Sequence, residues 1–573
     1  LLSIDNLFNK NIMQKRMIEN PEIEAVDILL QERMPESVII TKEQKIKPKK
    51  IKYHDYEDYC VRVIPLKEIQ TPEINAIANG KYTIVTNQKG EGYSKFNDIY
   101  INRYKKTSLE TQGIFFYMKN IKNKRIWTSN YSSYLGKPDK YEITFAEDMN
   151  KIVRVDGNIE TIMKNVIASK TPVEIRNIEL LNTGLEEETI EITTALEPIL
   201  SKKEQDYAHP AFNQLFLRYE YIEDEKIILV QRRNRENSEE GIYLAVTLYS
   251  EQENIGEIEY EIDKEKFYGR GNMGIPEMVK DSKPFSKKVQ LVTDPFIAIK
   301  RTVTIMPNEK KNLSLLLSVA TKREEAIQNL KDELKEQKIK GEFERARIEA
   351  ENRYIGINAK EIAIYQKLLG YMININPYKN MNNIKEDTDL SSENLWKFGI
   401  SGDLPILFVK VKNANDIFVI DEVIKAYKFY KSKNIDIDVV ICNEEKNSYE
   451  NYVQEGIVSC ILNHDIAYMQ NQKGGIFILQ NLSKEEKQLL EYRASVTIYA
   501  ENGGLLRNLK DLQEKEEVQE IGYEIAKIPY QEEEKINKFL PKEDLKYANE
   551  FGGFSEDGKE YQIKMDKQNR LPT

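Results

Sequence analysis

The sequence predicts a multidomain β plus α/β protein with a long antiparallel β-region, a helical segment and a small parallel α/β domain. In residues 187–233 apolar and polar side chains alternate, which is typical of consecutive long strands with one buried face. From residue 404 onward, short apolar runs alternate with segments of helical spacing, the pattern of parallel strands joined by helical crossovers. We therefore expect the strands of residues 187–233 to belong to one large sheet, with the α/β domain following it.

Length and composition exclude several classes of protein. The 573 residues are enough for three or four domains, and the net charge of −10 is spread over both signs, so nucleic acid is not an expected partner. The basic run at residues 45–52 is interpreted as a solvated linker rather than a phosphate-binding patch. Three cysteines without metal-ligand spacing indicate a reducing compartment, no disulfide framework and no zinc.

Membrane contact by this segment itself is not expected either. No apolar run approaches the roughly 20 residues that cross a bilayer, and the N-terminus lacks a signal-peptide pattern. Because the chain begins with Leu, we expect it to be a piece of a longer protein.

The N-terminal half divides into two parts. Residues 1–55 combine helical spacing with a lysine-rich stretch, and are interpreted as the tail of a preceding domain plus a linker. Residues 56–320 contain short strands separated by Asn, Gly, Asp or Pro turns, at the spacing of an all-β domain. In the central stretch Ile190, Ile192, Thr194 and Leu196 face one way, and the run 227–230 is apolar enough to be covered on both faces.

The spacing of apolar residues changes at residue 321, from the two-residue alternation of strands to the repeat of an amphipathic helix. Residues 321–324 (TKRE) read as a capping box that opens a helix, and a further helix is expected from residue 358, so 321–400 is predicted as a helical linker. Residues 401–505 are the predicted α/β domain, with a second capping box at 483–486 (SKEE). Residues 506–573 are charged and are interpreted as a polar linker leading to a second sandwich that would follow.

No catalytic or cofactor-binding motif is visible. A Walker loop, His-Glu-x-x-His and Gly-x-Ser-x-Gly are missing from the sequence, and no Gly-x-Gly-x-x-Gly follows directly after a predicted strand, so no cofactor, metal or catalytic residue is nominated. The polar residues 443–445 after the second strand of the α/β domain are interpreted as a helix cap. The carboxylates are too many to select a glycosidase pair.

Three loops and one arginine pair suggest carbohydrate binding. Residues 90–96 (GEGYSKF) combine glycines with aromatic and hydroxyl side chains that stack on and bond to sugars. The loop 206–212 carries a histidine, while residues 232–233 and 267–271 supply arginines for an anionic or polyhydroxyl ligand. The candidate carbohydrate-binding residues are Gly92, Tyr93, Ser94, Phe96, His209, Arg232 and Arg270. The structural alternatives are a hairpin whose aromatic rings pack inward, a histidine bonded to backbone, and arginines that bridge loops.

These stretches resemble one known family. Residues 79–82 (NGKY), 90–94 (GEGYS), 207–212 (YAHPAF), 267–271 (FYGRG) and 294–295 (DP) occur in the order seen in cyclic β-1,2-glucan synthases. Residues 29–33, 400–405, 474–477 and 551–554 extend the resemblance over nearly the whole chain. The shared order of the motifs carries the resemblance, since each motif alone is weak.

The resemblance implies a large inner-membrane enzyme that polymerises glucose from UDP-glucose, cyclises the product and trims its length with a phosphorylase-like domain. This segment would be the first supersandwich of the glycoside hydrolase family 94-like region with its following linker domain, on the cytoplasmic side. The transferase and cyclising modules would precede it and the catalytic helical barrel would follow it. Its implied partners are a β-glucan oligosaccharide and the flanking domains of the parent polypeptide.

Three functions remain open from the sequence. The first is a non-catalytic carbohydrate-binding and structural segment of a glycosyltransferase similar to cyclic β-1,2-glucan synthase. The second is a free-standing family 94-like phosphorylase or hydrolase, although about 60 residues of helix are too short for a twelve-helix barrel. The third is a purely structural spacer.

Overall fold

The computed structural model describes residues 37–45, 52–56, 59–65, 73–104, 113–132, 135, 137–233, 241–252, 255–269, 275–335, 338–353, 357–373, 390–445, 451–515, 519–527, 545–549 and 552–563. The chain divides into one unit over Leu1–Ile525 and a second over Ala526–Thr573. The predicted helix within residues 1–35 lies outside the described residues.

The β-region supplies most strands of the first unit. In chain order they are β1 (Ser37–Lys45), β2 (Lys52–Tyr56), β3 (Tyr59–Pro65), β4 (Ile74–Ala78), β5 (Tyr82–Asn87), β6 (Gly92–Phe96), β7 (Ile99–Asn102), β8 (Phe115–Asn120), β9 (Ile126–Thr128), β10 (Lys140–Ala146), β11 (Met149–Asp156), β12 (Ile159–Ile167), β13 (Val173–Asn182), β14 (Glu188–Ala195), β15 (Pro198–Ser201), β16 (Leu217–Ile222), β17 (Ile227–Arg232), β18 (Ile242–Tyr249), β19 (Glu259–Asp263), β20 (Pro295–Ile305) and β21 (Lys310–Ala320).

Short helices interrupt this region and longer ones follow it. They are α1 (Lys203–Ala208), α2 (Pro210–Gln214), α3 (Lys264–Tyr268), α4 (Glu277–Lys280), α5 (Arg323–Glu333), α6 (Lys338–Arg353) and α7 (Ala359–Ile373), with a 3₁₀ helix at Ser392–Phe398.

Apart from β1, these strands form three antiparallel sheets. Among the described residues, the largest sheet has ten strands in the order β16-β17-β18-β21-β13-β12-β11-β10-β3-β2. Two five-stranded sheets have the orders β19-β20-β14-β8-β9 and β15-β7-β6-β5-β4. Buried side chains such as Ile178 of β13, Ile190 and Ile192 of β14, and Ile299 of β20 share one core between the ten-stranded sheet and the first five-stranded sheet. The predicted large antiparallel sandwich is thus confirmed.

The prediction that residues 187–233 form one sheet is wrong. Strand β14 pairs with β20 and β8, whereas β16 and β17 lie at one end of the ten-stranded sheet. The alternation of apolar residues shows that one face of a strand is buried, but it carries no information on which sheet the strand joins. Between these strands the chain passes through β15, α1 and α2 and so changes sheets.

Helices α5 and α6 cover the outer face of the ten-stranded sheet. Ala326 and Leu330 of α5 pack with Ile227 and Leu229 of β17, while Ile228 faces the inner core. This confirms that the apolar run 227–230 is buried on both faces. The capping box expected at residues 321–324 is wrong, because Lys322 is the N-cap of α5 and no side chain caps the helix.

The α/β region begins after the 3₁₀ helix. Its strands and helices alternate as β22 (Ile406–Val411), α8 (Ile417–Ser432), β23 (Asp438–Asn443), α9 (Tyr452–Asn463), β24 (Ile476–Gln480), α10 (Lys484–Arg493), β25 (Val496–Tyr499) and α11 (Leu505–Lys515), with 3₁₀ turns at Ala414–Asp416, Ala467–Met469 and Ala500–Asn502. All pairs are parallel and the strand order is β24-β23-β22-β25.

The small parallel domain is therefore confirmed. The capping box of α10 is also as predicted, since the Ser483 hydroxyl accepts from Glu486 N and the Glu486 carboxylate accepts from Ser483 N. Helix α11 starts the stretch expected to be a polar linker, but its Leu505 and Leu509 are buried. The helix is thus packed, and the linker interpretation is wrong for residues 506–512.

The sheet that ends in β4 packs against the α/β region. Val85 and Tyr93 of this sheet share a core with Tyr365 and Leu369 of α7 and Val423 of α8. Polar contacts reinforce the packing, because the Thr83 hydroxyl donates to Lys433 O at 2.8 Å and Asn434 Nδ2 donates to Gly80 O at 2.8 Å. The sandwich and the α/β region are consequently joined by a common apolar interior.

The remaining strands are short. Strand β26 (Gln519–Lys527) pairs with β1. In the second unit β27 (Lys546–Asn549), β28 (Gly552–Phe554) and β29 (Tyr561–Ile563) form an antiparallel sheet, in which the rings of Phe554 and Tyr561 lie 4.8 Å apart.

Across the described stretches, none of the helices combines the length and apolar character that crossing a membrane requires.

Candidate carbohydrate-binding site

Residues 92–96, expected in a loop, form strand β6, so the expectation of a flexible loop there is wrong. A Cβ built on Gly92 would lie 1.8 Å from Val85 O of the neighbouring strand, so glycine is required for the close approach of β5 and β6. Tyr93 is only 8% exposed, and its ring lies 4.9 Å from that of Tyr100 and 6.0 Å from that of Tyr104. Burial raises the pKa of Tyr93 to about 12.

Ser94 and Phe96 point to the opposite face of β6. The Ser94 hydroxyl donates to Glu174 Oε2 at 2.6 Å, and the Tyr82 hydroxyl donates to the same oxygen at 2.8 Å. Phe96 belongs to the main sandwich core. The side chains of β6 thus face two interiors, as in the structural alternative with inward-packed rings. A sugar-binding role for Gly92, Tyr93, Ser94 and Phe96 stays a prediction.

The other predicted residues lie in two places. Arg270 lies outside the described residues. His209 is exposed between α1 and α2, where its backbone N–H donates to Gln205 O at 3.3 Å and its carbonyl accepts from Asn213 N at 2.9 Å. Arg232, at the end of β17, donates to Ile199 O and to Asn213 O, both at 3.3 Å. The structure therefore brings His209 and Arg232 to the same helical turn.

A buried polar cluster lies under that turn and is centred on Arg103, which follows β7. The Arg103 guanidinium donates to both carboxylate oxygens of Asp206 on α1, with Nε 2.9 Å from Oδ2. It also pairs with Glu197, which stands between β14 and β15. Desolvation lowers the pKa of Arg103, but the two carboxylates outweigh it and raise the pKa above its ordinary value. The guanidinium is thus a fixed cation that joins three chain segments.

Two further groups complete the cluster. Lys264 Nζ lies 2.9 Å from the second Glu197 oxygen, and Gln214 Nε2 donates to Asp294 Oδ1 at 2.9 Å. We call Arg103, Glu197, Asp206, Lys264 and Asp294 the Arg103 cluster; its three carboxylates and two cations give a net charge of −1.

Two polar atoms beside this cluster lack partners. Within the described residues, the Tyr219 hydroxyl and Asn213 Oδ1 are buried without a hydrogen-bond partner. Burial, and then the nearby carboxylates of Glu197 and Asp294, raise the pKa of Tyr219 well above its ordinary value. Such orphaned groups each cost about 1–3 kcal/mol unless a ligand or water supplies the missing bond.

Large apolar side chains are exposed on and just after the two helices of this site. On α1 and α2, Tyr207 is 59% exposed and Phe212 is 53% exposed, and Leu215 follows them with its side chain also in solvent. Exposed aromatic faces above carboxylates, amides and an arginine can stack on sugar rings and bond to their hydroxyls. The arrangement therefore suits a polyhydroxyl ligand.

Sequence reasoning found part of this site. Asp294 lies within a stretch that resembles the known family, Asp206 directly precedes another such stretch, and His209 and Arg232 are candidates from the sequence. Arg103, Glu197 and Lys264 carried no recognisable signal, because they meet only through contacts between residues 67 to 103 positions apart. In the described parts of the chain, no group of His, Cys, Asp and Glu side chains is arranged to hold a metal ion.

Comparisons with known proteins agree with the fold. Residues 57–336 match the family model of the glycosyl hydrolase 94 supersandwich domain. The cyclic β-(1,2)-glucan synthase NdvB of Rhizobium meliloti strain 1021 is 25% identical over 565 residues, which cover 95% of this chain and 20% of that protein. The chain thus spans about a fifth of the length of the curated relative that it matches.

Solved structures with similar parts include a bacterial glucoamylase complexed with acarbose, with a TM-score of 0.30, 11% identity, and coverage of 58% of this chain and 44% of that chain. A galactose mutarotase-like protein from Lactobacillus casei ATCC 334 aligns with a TM-score of 0.23 and 9% identity over 43% of this chain and 100% of that chain. Residues 57–336 are thus similar to the glycosyl hydrolase 94 supersandwich domain, and the expected resemblance of the chain to the cyclic β-1,2-glucan synthases is confirmed.

Proposed function

We propose that this chain is a non-catalytic carbohydrate-binding and structural segment of a glycosyltransferase similar to cyclic β-1,2-glucan synthase. The observation that carries the proposal is the similarity to that synthase along 95% of the chain. Glycosyl transfer, cyclisation and phosphorolysis would be the work of other parts of such a protein. The segment would lie on the cytoplasmic side of an inner-membrane parent and contact its flanking domains.

The Arg103 cluster is the proposed contact for glucan. The exposed rings of Tyr207 and Phe212 would stack on glucose units, while the glucose hydroxyls would bond to the polar groups beneath. Fixed partners such as the Arg103–Asp206 pair keep these groups oriented before a ligand arrives, which lowers the entropic cost of binding.

Titration calorimetry with β-1,2-glucooligosaccharides tests this proposal. Tyr207→Ala and Phe212→Ala should each weaken binding about three- to tenfold, as expected for the loss of one stacking face. Leu185→Ala is the matched control, because Leu185 is 93% exposed in the turn before β14 and takes no part in the cluster. Absence of heat in the unaltered chain, or equal affinity in all three variants, would favour the structural spacer.

The alternative function, a free-standing phosphorylase or hydrolase, predicts catalytic turnover by the isolated chain. The non-catalytic role predicts instead that the isolated chain releases no glucose 1-phosphate from β-1,2-glucan in phosphate buffer and transfers no glucose from UDP-glucose. Phosphate-dependent turnover that disappears when a carboxylate of the chain is replaced would overturn the non-catalytic role.

A further inference from the structure

A second polar cleft lies at one end of the sandwich, where three chain reversals meet. The β8–β9 turn, the β11–β12 turn and the start of β14 enclose a cavity of about 110 Å³. We call it the hairpin cleft. Its lining includes Asn120, Arg125, Trp127, Asp156, Asn158 and Glu188.

The charged groups of the cleft are held in place by their neighbours. Arg125 Nη2 donates to Asp156 Oδ1 at 3.1 Å, and Arg154 Nε donates to Asp156 Oδ2 at 2.5 Å. On the other side Asn120 Nδ2 donates to Glu188 Oε2 at 2.7 Å. Asn120, Asp156 and Glu188 are all buried, so these bonds are shielded from bulk water. Donors and acceptors are therefore fixed in position around the cavity.

Trp127 supplies the apolar part of the wall. The residue is 1% exposed, and its indole Nε1 donates to Thr161 Oγ1 at 3.1 Å. Because the single polar atom of the indole is already bonded and the ring is almost wholly buried, Trp127 closes part of the wall with carbon and offers almost no surface for stacking. The carboxylates, the amides and the arginine around the cleft match the hydroxyl edge of a sugar.

The size of the cleft limits the ligand. About 10–15 Å³ of such a cavity is enough to hold one water molecule, so the cleft has room for several waters. That space accommodates one edge of a single pyranose ring rather than an oligosaccharide chain. Asn158 and Arg125 stand at the open rim, where the rest of a hexose would remain in solvent.

We propose that the hairpin cleft binds one hexose unit through its ring hydroxyls. Vicinal hydroxyls donate to Asp156 and Glu188 and accept from Arg125 and Asn158. The cleft lies on different turns from the Arg103 cluster and constitutes a second sugar site. It does not depend on glucan binding at that cluster.

The tryptophan content of the chain makes the site directly observable. The chain has two tryptophans, Trp127 and Trp396, and Trp396 is 62% exposed in the 3₁₀ helix of the α/β region. Trp396→Phe therefore leaves Trp127 as the single indole emitter. Titration of this variant with glucose, and with the β-1,2-linked glucose disaccharide, should give a saturable change in emission, with glycerol as the control for solvent effects.

Two further substitutions in the Trp396→Phe background localise the ligand. Arg125→Ala should weaken the titration at least fivefold. Lys122→Ala removes the same charge from the same turn but lies outside the lining, so it should leave the curve unchanged. If Arg125→Ala unfolds, Asn158→Ala, an exposed rim change, replaces it.

The outcomes separate the two sugar sites. Tyr207→Ala and Phe212→Ala should leave the Trp127 titration intact even if they abolish calorimetric heat at the other site. A flat titration, a change that glycerol reproduces, or equal curves for Arg125→Ala and Lys122→Ala would overturn the proposal and assign the cavity to water alone.

Discussion

Gln366 on helix α7 bonds to both backbone groups of Ala76 on strand β4. Its Oε1 accepts from Ala76 N at 3.0 Å and its Nε2 donates to Ala76 O at 3.0 Å. Strand β4 is the last strand of its sheet, so these backbone groups have no strand to pair with. One side chain thus takes the place of a neighbouring strand, and the helix covers an edge that would otherwise be open to pairing.

Gln366→Leu should therefore destabilise the chain by about 2–4 kcal/mol, because it leaves a buried donor and a buried acceptor unsatisfied. Urea unfolding followed by circular dichroism measures the change. Gln328→Leu on α5 is the control, since that side chain is exposed and bonds only to Asp332. Equal effects from the two substitutions would contradict the role assigned to Gln366.

Asp438 gives the α/β region a dependence on pH. Burial at the start of β23 raises the pKa of this carboxyl to about 6, although the Gly474 N–H that donates to Oδ1 opposes the shift. A raised pKa means that the folded state prefers the protonated carboxyl. Ionisation of Asp438 therefore lowers the free energy of unfolding. The decrease begins above the unfolded pKa of about 3.8, and the stability that the protonated carboxyl contributes is fully lost above about pH 6.

Asp438→Asn removes this cost while keeping an oxygen that accepts from Gly474. It should stabilise the chain by about 3 kcal/mol at pH 7.5 and by about 1 kcal/mol at pH 4.5. Denaturant unfolding at both pH values gives the difference. Asp403→Asn, which changes an exposed carboxylate paired with Lys473, should have a small effect at either pH. A gain from Asp438→Asn that is constant across pH would rule out the ionisation account.

The Arg103 cluster should be sensitive to loss of its central cation. Arg103→Met leaves the carboxylates of Asp206 and Glu197 without their main partner, and breaking a buried pair in this way costs about 3–5 kcal/mol. Thermal unfolding of the unaltered and Arg103→Met chains at pH 7 measures this loss, and equal stability of the two chains would argue against the role assigned to Arg103.

Gly92 should tolerate no side chain. The Cβ of Gly92→Ala would meet Val85 O at 1.8 Å, so β5 and β6 would have to separate and the substitution should cost more than about 2 kcal/mol. Gly80→Ala is a matched control, because Gly80 has a positive φ of 98° but nothing within 4 Å of the added atom. It should cost about 1–2 kcal/mol from backbone strain alone. Urea unfolding of both variants measures the difference, and comparable losses would show that the clash is relieved locally.

Local patterns predicted local structure well. Alternation placed Ile190 and Ile192 in the core, the Ser483–Glu486 box forms as expected, and the four parallel strands of the α/β region follow from its apolar runs. The box at 321–324 failed because capping depends on which residue adopts the extended conformation before the helix, and that residue is Lys322.

Long-range contacts were beyond the sequence. Strand β14 and the strands β16 and β17 have similar alternation, yet they belong to different sheets. In the site, Arg103 meets Asp206 across 103 residues, and no spacing rule predicts such a pair. His209 and Arg232 are candidates because their loops carry unusual residue types, and Tyr93 is a candidate because of its aromatic ring, which the structure buries in the core.

The core that helix α7 shares with the β15-β7-β6-β5-β4 sheet has an evolutionary consequence. The family match ends at residue 336, whereas Tyr365 and Leu369, which share a core with Val85 and Tyr93, lie beyond it. Recombination at residue 336 would transfer the sandwich without α7. The apolar face that packs on α7 would then be exposed, and the backbone N–H and C=O of Ala76 would lose their bonds to Gln366. The unit that selection can transfer intact between genes therefore extends through the α/β region, and substitutions on either side of the shared core should accumulate together.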